Sequence, residues 1–125
     1  MNLTIEDVAR AFSGHDFEAA YPYLADRVVW TIVGEERLEG KAEVIAACER
    51  TAAYLAQANT EFQRLRALVG DDRVVIDSLA EYTDSDGSVS AVDSCDLYDF
   101  EDGKLIAIAT YNISVGDKAS SPEAG

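Results

Sequence analysis

The sequence predicts an α+β domain, in which a cone-shaped, curved antiparallel sheet wraps around helices and encloses a pocket. Helical periodicity opens the chain, a run of helix formers follows the first apolar β run, and four further β runs complete it. A long helix between the first strand and a four-strand meander favours a curved sheet with helices packed on it. The predicted element order is α-α-β-α-β-β-β-β.

The first helix is indicated by its N-terminal cap and its apolar stripe. Thr4 is a favourable N-cap residue, and Asp7, three residues later, is a short version of the capping-box acid. The face predicted to be buried consists of Ile5, Val8, Ala9 and Phe12. Residues 13–15 end the helix, and we expect His15, the only histidine, to be a surface turn residue.

The next segment predicts a short helix, a buried strand and a long helix. Asp16 begins the short helix, and Pro22 disturbs its apolar stripe. Residues 28–33 form a nearly continuous apolar run, which is typical of a buried strand. A turn-rich link over residues 34–40 then leads to a run of strong helix formers over residues 41–58.

The remainder of the chain is typical of a β meander, because turn-forming Gly, Asp and Ser separate its β runs. The predicted strands cover residues 60–69, 73–83, 88–100 and 104–114. Strict alternation places Arg64 and Arg66 on the face of Phe62, where we expect them to be solvated or paired with acids at a dimer interface. We expect one domain over residues 1–115 and a disordered tail over residues 116–125.

The composition limits the partners and the location of the protein. Ten basic and 24 acidic residues give a net charge of −14, which repels nucleic acid and anionic membranes. The sequence has no stretch typical of a membrane span or a signal peptide, so we expect a cytoplasmic protein. Cys48 and Cys95 lie far apart and no group of residues has metal-ligand spacing, so we predict neither a metal nor a cofactor.

The best indication of chemistry is Asp96. Because side chains alternate along a strand, Asp96 shares a face with Val92, Tyr98 and Phe100. A carboxylate on an apolar, aromatic face is neutral, paired or functional. In the functional interpretation, desolvation raises the pKa of Asp96 and makes it a proton donor or acceptor. In the alternative, Asp96 is hydrogen-bonded to a neighbouring tyrosine or lies at the rim of the sheet.

Several short motifs follow one another in a specific order along residues 4–115. They are DFEA at 16–19, LADRVVW at 24–30, Gly34, Gly40, YDFEDGKL at 98–105 and Tyr111. Together they resemble the nuclear transport factor 2-like superfamily, also called SnoaL-like or ketosteroid-isomerase-like. The resemblance implies a homodimer through the outer face of the sheet and a hydrophobic small molecule as ligand. It implies no single activity, because the superfamily includes isomerases, cyclases, dehydratases, epoxide hydrolases and non-catalytic binders.

The resemblance also bears on individual positions. Asp96 matches the oxyanion-hole aspartic acid of ketosteroid isomerases, which an apolar site keeps neutral. The catalytic aspartate of those isomerases falls on Thr31, or on Trp30 or Ile32 if the register shifts by one residue. Their tyrosine falls near Val8. None of these side chains is a general base, so a steroid-isomerase mechanism is disfavoured.

Two other enzyme types of the superfamily make different demands. The epoxide hydrolases require an Arg-x-Asp segment, which has no counterpart in residues 77–82, and a second aspartate, whose position is taken by Thr110. The polyketide cyclases of the SnoaL type require one acid/base aspartate in a hydrophobic pocket. Asp96 meets that simpler demand.

The leading functional hypothesis is a cofactor-independent enzyme of the isomerase, cyclase or dehydratase type that acts on a hydrophobic small molecule. Asp96 is its predicted acid/base. The residues predicted to contact the substrate are Trp30, Thr31, Asp77, Tyr98 and Tyr111. For Asp77, a strand-edge or solvent-facing position is the alternative. The alternative function is a non-catalytic module that binds a small molecule or assembles as a dimer.

Overall fold

The computed structural model describes residues 2–115, so the tail predicted for residues 116–125 lies outside the described residues. The helices are α1 (Ile5–Ser13), α2 (Phe17–Ala20) and α3 (Lys41–Leu55), with a 3-10 helix at Tyr21–Tyr23. The strands are β1 (Leu24–Ile32), β2 (Glu36–Glu39), β3 (Asn59–Val69), β4 (Arg73–Thr83), β5 (Val89–Glu101) and β6 (Lys104–Ser114). The predicted α+β fold, a curved sheet with helices packed on it, is confirmed, and the sheet is unclosed.

Helix α1 has the predicted cap and the predicted buried face. The Thr4 hydroxyl accepts a hydrogen bond from the Asp7 amide at 3.1 Å, and the Asp7 carboxylate accepts one from the Thr4 amide at 3.1 Å. This reciprocal pair satisfies two of the amides that the first turn of a helix leaves unpaired.

Among residues 2–115, no helix is long and apolar enough to span a bilayer.

The sheet has the strand order β2-β1-β6-β5-β4-β3. Its pairs are antiparallel except for β1 and β6, which run parallel. The link predicted between the first strand and the long helix contains β2, a short strand that sequence reasoning missed. Gly34 has φ +84°, a left-handed conformation that lets the chain reverse, so that Leu38 comes to lie opposite Trp30.

A bulge in β3 changes which side chains share a face. Phe62 lies opposite Ala80, whereas Arg64 lies opposite Leu79, so one extra residue stands between them on β3. Phe62 therefore lies on the inner face of the sheet, and Arg64 lies on the outer face. The prediction that the two residues share a face is wrong, because strict alternation does not hold across a bulge.

The apolar core fills part of the space between the sheet and the helices. At its centre the ring of Phe12 makes edge-to-face contacts with Phe17, Trp30 and Tyr98, at centroid distances of 5.2, 5.0 and 6.0 Å. Such pairs stabilise a fold by about 0.5–1.5 kcal/mol each beyond their buried area. Farther along the inner face, the residues become smaller and more polar, and the core gives way to a cavity.

Candidate active site

A cavity of about 340 Å³ lies between the end of α1 and the inner face of the sheet. Much of its wall is apolar or aromatic, with Phe12, Phe17, Trp30, Ile32 and Phe62 among the lining residues. Ligand pockets generally have volumes of about 300–1,000 Å³, so this cavity suits a compact molecule. Its volume lies at the small end of that range.

Asp96 lies where the core meets the cavity. Its side chain lines the cavity, yet the residue is only 8% exposed. The Ser13 hydroxyl donates a hydrogen bond of 2.7 Å to Oδ2 of Asp96, and Thr110 stands directly opposite Asp96 on β6. Burial raises the pKa of Asp96 above its ordinary value, while hydrogen bonding from Ser13 and Thr110 opposes that rise. Asp96 therefore holds its proton to a higher pH than an exposed aspartate does.

Tyr98 lies behind Asp96 rather than in the cavity wall. It is 0% exposed, and its hydroxyl lies 2.6 Å from the Ser13 hydroxyl. Burial, followed by the nearby Asp96 carboxyl, raises the pKa of Tyr98 well above its ordinary value, so the phenol stays neutral. The predicted ligand contact is not found in this cavity. Instead, the Tyr98 hydroxyl is hydrogen-bonded to Ser13.

The donor directions around Asp96 follow from the chemistry of its neighbours. The Trp30 indole N–H, which can only donate, binds Oγ1 of Thr110 at 2.9 Å. The hydroxyl proton of Thr110 is therefore free to point towards Asp96. Because the single proton of Ser13 points to Asp96, Tyr98 donates in its own bond with Ser13. Both chains of hydrogen bonds thus run towards the Asp96 carboxyl and orient it.

The structure places Trp30 in the cavity wall and Thr31 on the opposite face of β1. Trp30 and Ile32 line the cavity, and alternation directs the residue between them outwards. This fixes the strand register that the sequence left open. Tyr111 likewise lies on the outer face of β6 and is 47% exposed. The predicted ligand contacts through Thr31 and Tyr111 are therefore not found in this cavity.

Asp77 belongs to an ionic cluster on the outer face of the sheet. Its carboxylate binds both Arg64 and Arg66, and Arg64 also reaches Asp93 at 2.7 Å. These bonds, that from Arg66 first, lower the pKa of Asp77. The predicted ligand contact is not found in this cavity, because the strand carries Ser78 and Ala80, rather than Asp77, on its inner face.

His15 is the cavity residue that sequence reasoning placed wrongly. Its imidazole lines the cavity and packs against Phe17, Phe62 and Tyr82, at ring-centroid distances of 5.8, 5.2 and 6.2 Å. Burial lowers the pKa of His15. Its backbone has φ +72°, a left-handed conformation in which histidine is several-fold enriched among non-glycine residues. Its position directly after the buried face of α1 was the only signal available in the sequence.

Within residues 2–115, no group of three or more His, Cys, Asp or Glu side chains converges to hold a metal ion. The two cysteines are free thiols; Cys48 is buried, and burial raises its pKa to about 12. The polar chemistry of the cavity is therefore carried by carboxyl, hydroxyl, amide and imidazole groups.

Comparison with known proteins places this chain in a family. The model of the SnoaL-like domain matches residues 5–108. The chain belongs to the SnoaL-like family. No curated protein matches it.

Solved structures agree with this assignment. An NTF2-like protein of unknown function from Cytophaga hutchinsonii is 30% identical, with a TM-score of 0.76 over 86% of this chain and 95% of that one. An LEH-like epoxide hydrolase from M. tuberculosis is 17% identical, with a TM-score of 0.65 over 88% of this chain and 84% of that one. An NTF2-like protein from Burkholderia xenovorans is also 17% identical, with a TM-score of 0.67 over 87% of this chain and 86% of that one. The latter two show the shared fold alone.

Proposed function

We propose that this SnoaL-like protein is a cofactor-independent enzyme that moves a proton on a compact, largely apolar molecule, with Asp96 as the acid/base. The observation that carries the proposal is the Asp96 carboxyl, buried at the edge of an apolar cavity and oriented by Ser13. Proton transfer by a positioned side chain typically contributes about 10²–10⁴-fold to a rate.

The reaction classes that suit this site are isomerisation, cyclisation and dehydration. Each of them can proceed through an enol or enolate, in which charge develops on a carbonyl oxygen. A protonated Asp96 donates to that oxygen, and the Asp96 carboxylate then takes the proton back. The raised pKa favours this role, because an ordinary carboxyl would already be ionised at neutral pH.

The negative charge of the protein limits which ligands can bind. The chain carries a net charge of −14, and Glu35 and Glu36 also line the cavity. A negative field lowers the local concentration of anions. We therefore propose a neutral or cationic substrate, rather than a phosphate ester or a free carboxylate. An epoxide-hydrolase activity like that of the M. tuberculosis neighbour is disfavoured, since Asp77 and its two arginines lie on the outer face of the sheet.

The second candidate is a non-catalytic binding module. Asp96 already accepts hydrogen bonds from Ser13 and Thr110. A buried carboxyl with a purely structural role has the same kind of partners, and this favours the binding module. We also propose that the protein is a homodimer through the outer face of the sheet. In support, Leu68 and Ile113 on that face are 73% and 64% exposed. Exposed apolar area of this kind marks interaction surfaces.

The test uses the single tryptophan of the chain as a reporter of the cavity. Because Trp30 lines the cavity, a bound ligand should change its fluorescence. We would screen small neutral ketones, unsaturated alcohols and epoxides for binding by this signal and for turnover by NMR. Turnover that Asp96→Asn abolishes, with binding retained, supports the enzyme. Ligands that bind wild type and variant equally and are never converted support the binding module.

A further inference from the structure

We propose that His15 is the proton acceptor that works together with Asp96 in the same cavity, on carbonyl compounds that carry an acidic C–H bond. This inference rests on the proposed function and deepens it. It assigns the partner of the acid and the chemical class of the substrate. The protein would enolise a ketone or aldehyde between an imidazole and a carboxyl.

The first support is the placement of His15. The end of α1 carries both Ser13, which binds Asp96, and His15, and both His15 and Asp96 line the cavity. The imidazole is held by the rings of Phe17 and Phe62 and by Tyr82 of β4. Side chains held by packing in this way are pre-positioned for chemistry.

The second support is that the imidazole has no hydrogen-bond partner within residues 2–115, although its ring contacts show that it is well packed. Among those residues, every fully buried side-chain nitrogen or oxygen is hydrogen-bonded. The nitrogens of His15, which have no partner among those residues, are therefore not fully buried. The hydroxyls of Ser13, Tyr98 and Thr110, by contrast, are already engaged in hydrogen bonds within the protein.

The pKa shifts of both groups favour a neutral acid and a neutral base in the same cavity. Burial raises the pKa of Asp96 and lowers that of His15, so both groups are driven towards their uncharged forms. Tyr82, which packs against His15, has a raised pKa and stays neutral as well. The other ionisable groups that line the cavity are Glu35 and Glu36.

The reaction step balances without any co-reactant. Neutral His15 takes a proton from the carbon beside the carbonyl, the C–H electron pair forms the C=C bond, and the carbonyl oxygen takes the proton of Asp96. The products are an enol, an imidazolium and a carboxylate, so the cavity gains no net charge. In a simple ketone, the imidazolium returns a proton to the same carbon and the enol O–H proton returns to Asp96, so that the α-proton is exchanged. In a β,γ-unsaturated ketone the enol is a dienol, and the imidazolium protonates its γ-carbon while the O–H proton returns to Asp96, which moves the C=C bond into conjugation with the carbonyl. The net result for the unsaturated ketone is an isomerised carbonyl compound.

The size of the cavity limits this substrate class. A cavity of about 340 Å³ suits a monocyclic or short acyclic carbonyl compound. Neutral carbonyl compounds also avoid repulsion by the negative field of the protein.

The test measures enolisation directly, as exchange of the α-protons of cyclohexanone for deuterium in D2O, followed by proton NMR. We expect the wild-type protein to accelerate exchange over buffer. His15→Asn should lower kcat by about 10²–10⁴-fold and leave KM and the Trp30 fluorescence titration nearly unchanged. Asparagine is chosen because it tolerates the left-handed backbone of residue 15. Asp16→Asn, a charge removal at the adjacent exposed residue, is the matched control and should leave the rate unchanged.

The outcomes separate this inference from the proposed function. If Asp96→Asn abolishes exchange while His15→Asn retains the wild-type rate, the role of His15 is overturned and that of Asp96 stands. If the wild-type rate equals that of buffer at saturating cyclohexanone, the enolisation by His15 and Asp96 is overturned, and the proposed function is decided by the wider screen. A second measurement uses the ring protons of the only histidine, whose NMR titration is unambiguous. We expect cyclohexanone to shift the His15 resonances, and unchanged resonances at saturating ketone would overturn the contact.

Discussion

Ser13, the last residue of α1, donates a hydrogen bond of 2.7 Å to Asp96, which lies 83 positions later on β5. The same hydroxyl binds the fully buried Tyr98 at 2.6 Å. One small side chain therefore ties the first helix to the sheet and orients the carboxyl that faces the cavity. Its removal should affect both the pKa of Asp96 and the stability of the fold.

For Ser13→Ala, we expect the pKa of Asp96 to rise further, because the hydrogen bond from Ser13 favours the ionised carboxyl. We also expect a loss of stability of about 1–3 kcal/mol, since the buried Tyr98 hydroxyl is left without its partner. NMR titration of the Asp96 carboxyl and urea unfolding measure the two effects. Ser94→Ala is the control, because the Ser94 hydrogen bond to Asn112 is exposed. A fall in the pKa of Asp96 in Ser13→Ala would contradict the assignment.

For Asp96→Asn, we expect a stability gain that grows with pH. In the wild-type protein, the folded pKa of Asp96 lies above the ordinary 3.8. As the pH rises from 3.8 towards that folded value, the unfolded chain loses its proton first, so the stability of the wild type falls. Asparagine has no proton to lose, and the difference amounts to about 1.4 kcal/mol for each unit of raised pKa.

Urea unfolding of both proteins from about pH 4 to about pH 8 measures this difference. Other titrating groups change both proteins alike and cancel in the comparison. A difference that stays constant across this range would mean that Asp96 titrates at its ordinary pKa.

The proposed dimer interface predicts the effect of a charge on the outer face. Ile113→Glu places a carboxylate in the exposed apolar part of that face, and burying it against a second copy would leave an unpaired charge. We expect the variant to be monomeric by light scattering, while Trp30 still reports ligand binding. Val33→Glu, at an exposed valine in the turn after β1, should leave the mass unchanged. A wild-type protein that is already monomeric at high concentration would rule out this interface.

Much of the fold was determined by local sequence patterns. The capping box of α1 and the start of α3 at Lys41 agree with prediction, and so do the bounds of β4 and β6. Helix caps, hydrophobic periodicity and turn residues act over a few positions, so they can be recognised in the sequence. The placement of Asp96 on the inner face follows from alternation along β5, a strand whose pairs with β4 are regular.

Only the tertiary structure decided what surrounds Asp96. The bulge in β3 places Arg64 on the outer face of the sheet, where it forms an ion pair with Asp77. The contact of Ser13 with Asp96, and the entry of His15 into the cavity, join segments far apart in the chain. Such contacts depend on how α1 lies across the curved sheet, and no local pattern encodes that geometry. The sequence alone determined the fold and the candidate acid, whereas packing between distant segments decided the partners of that acid.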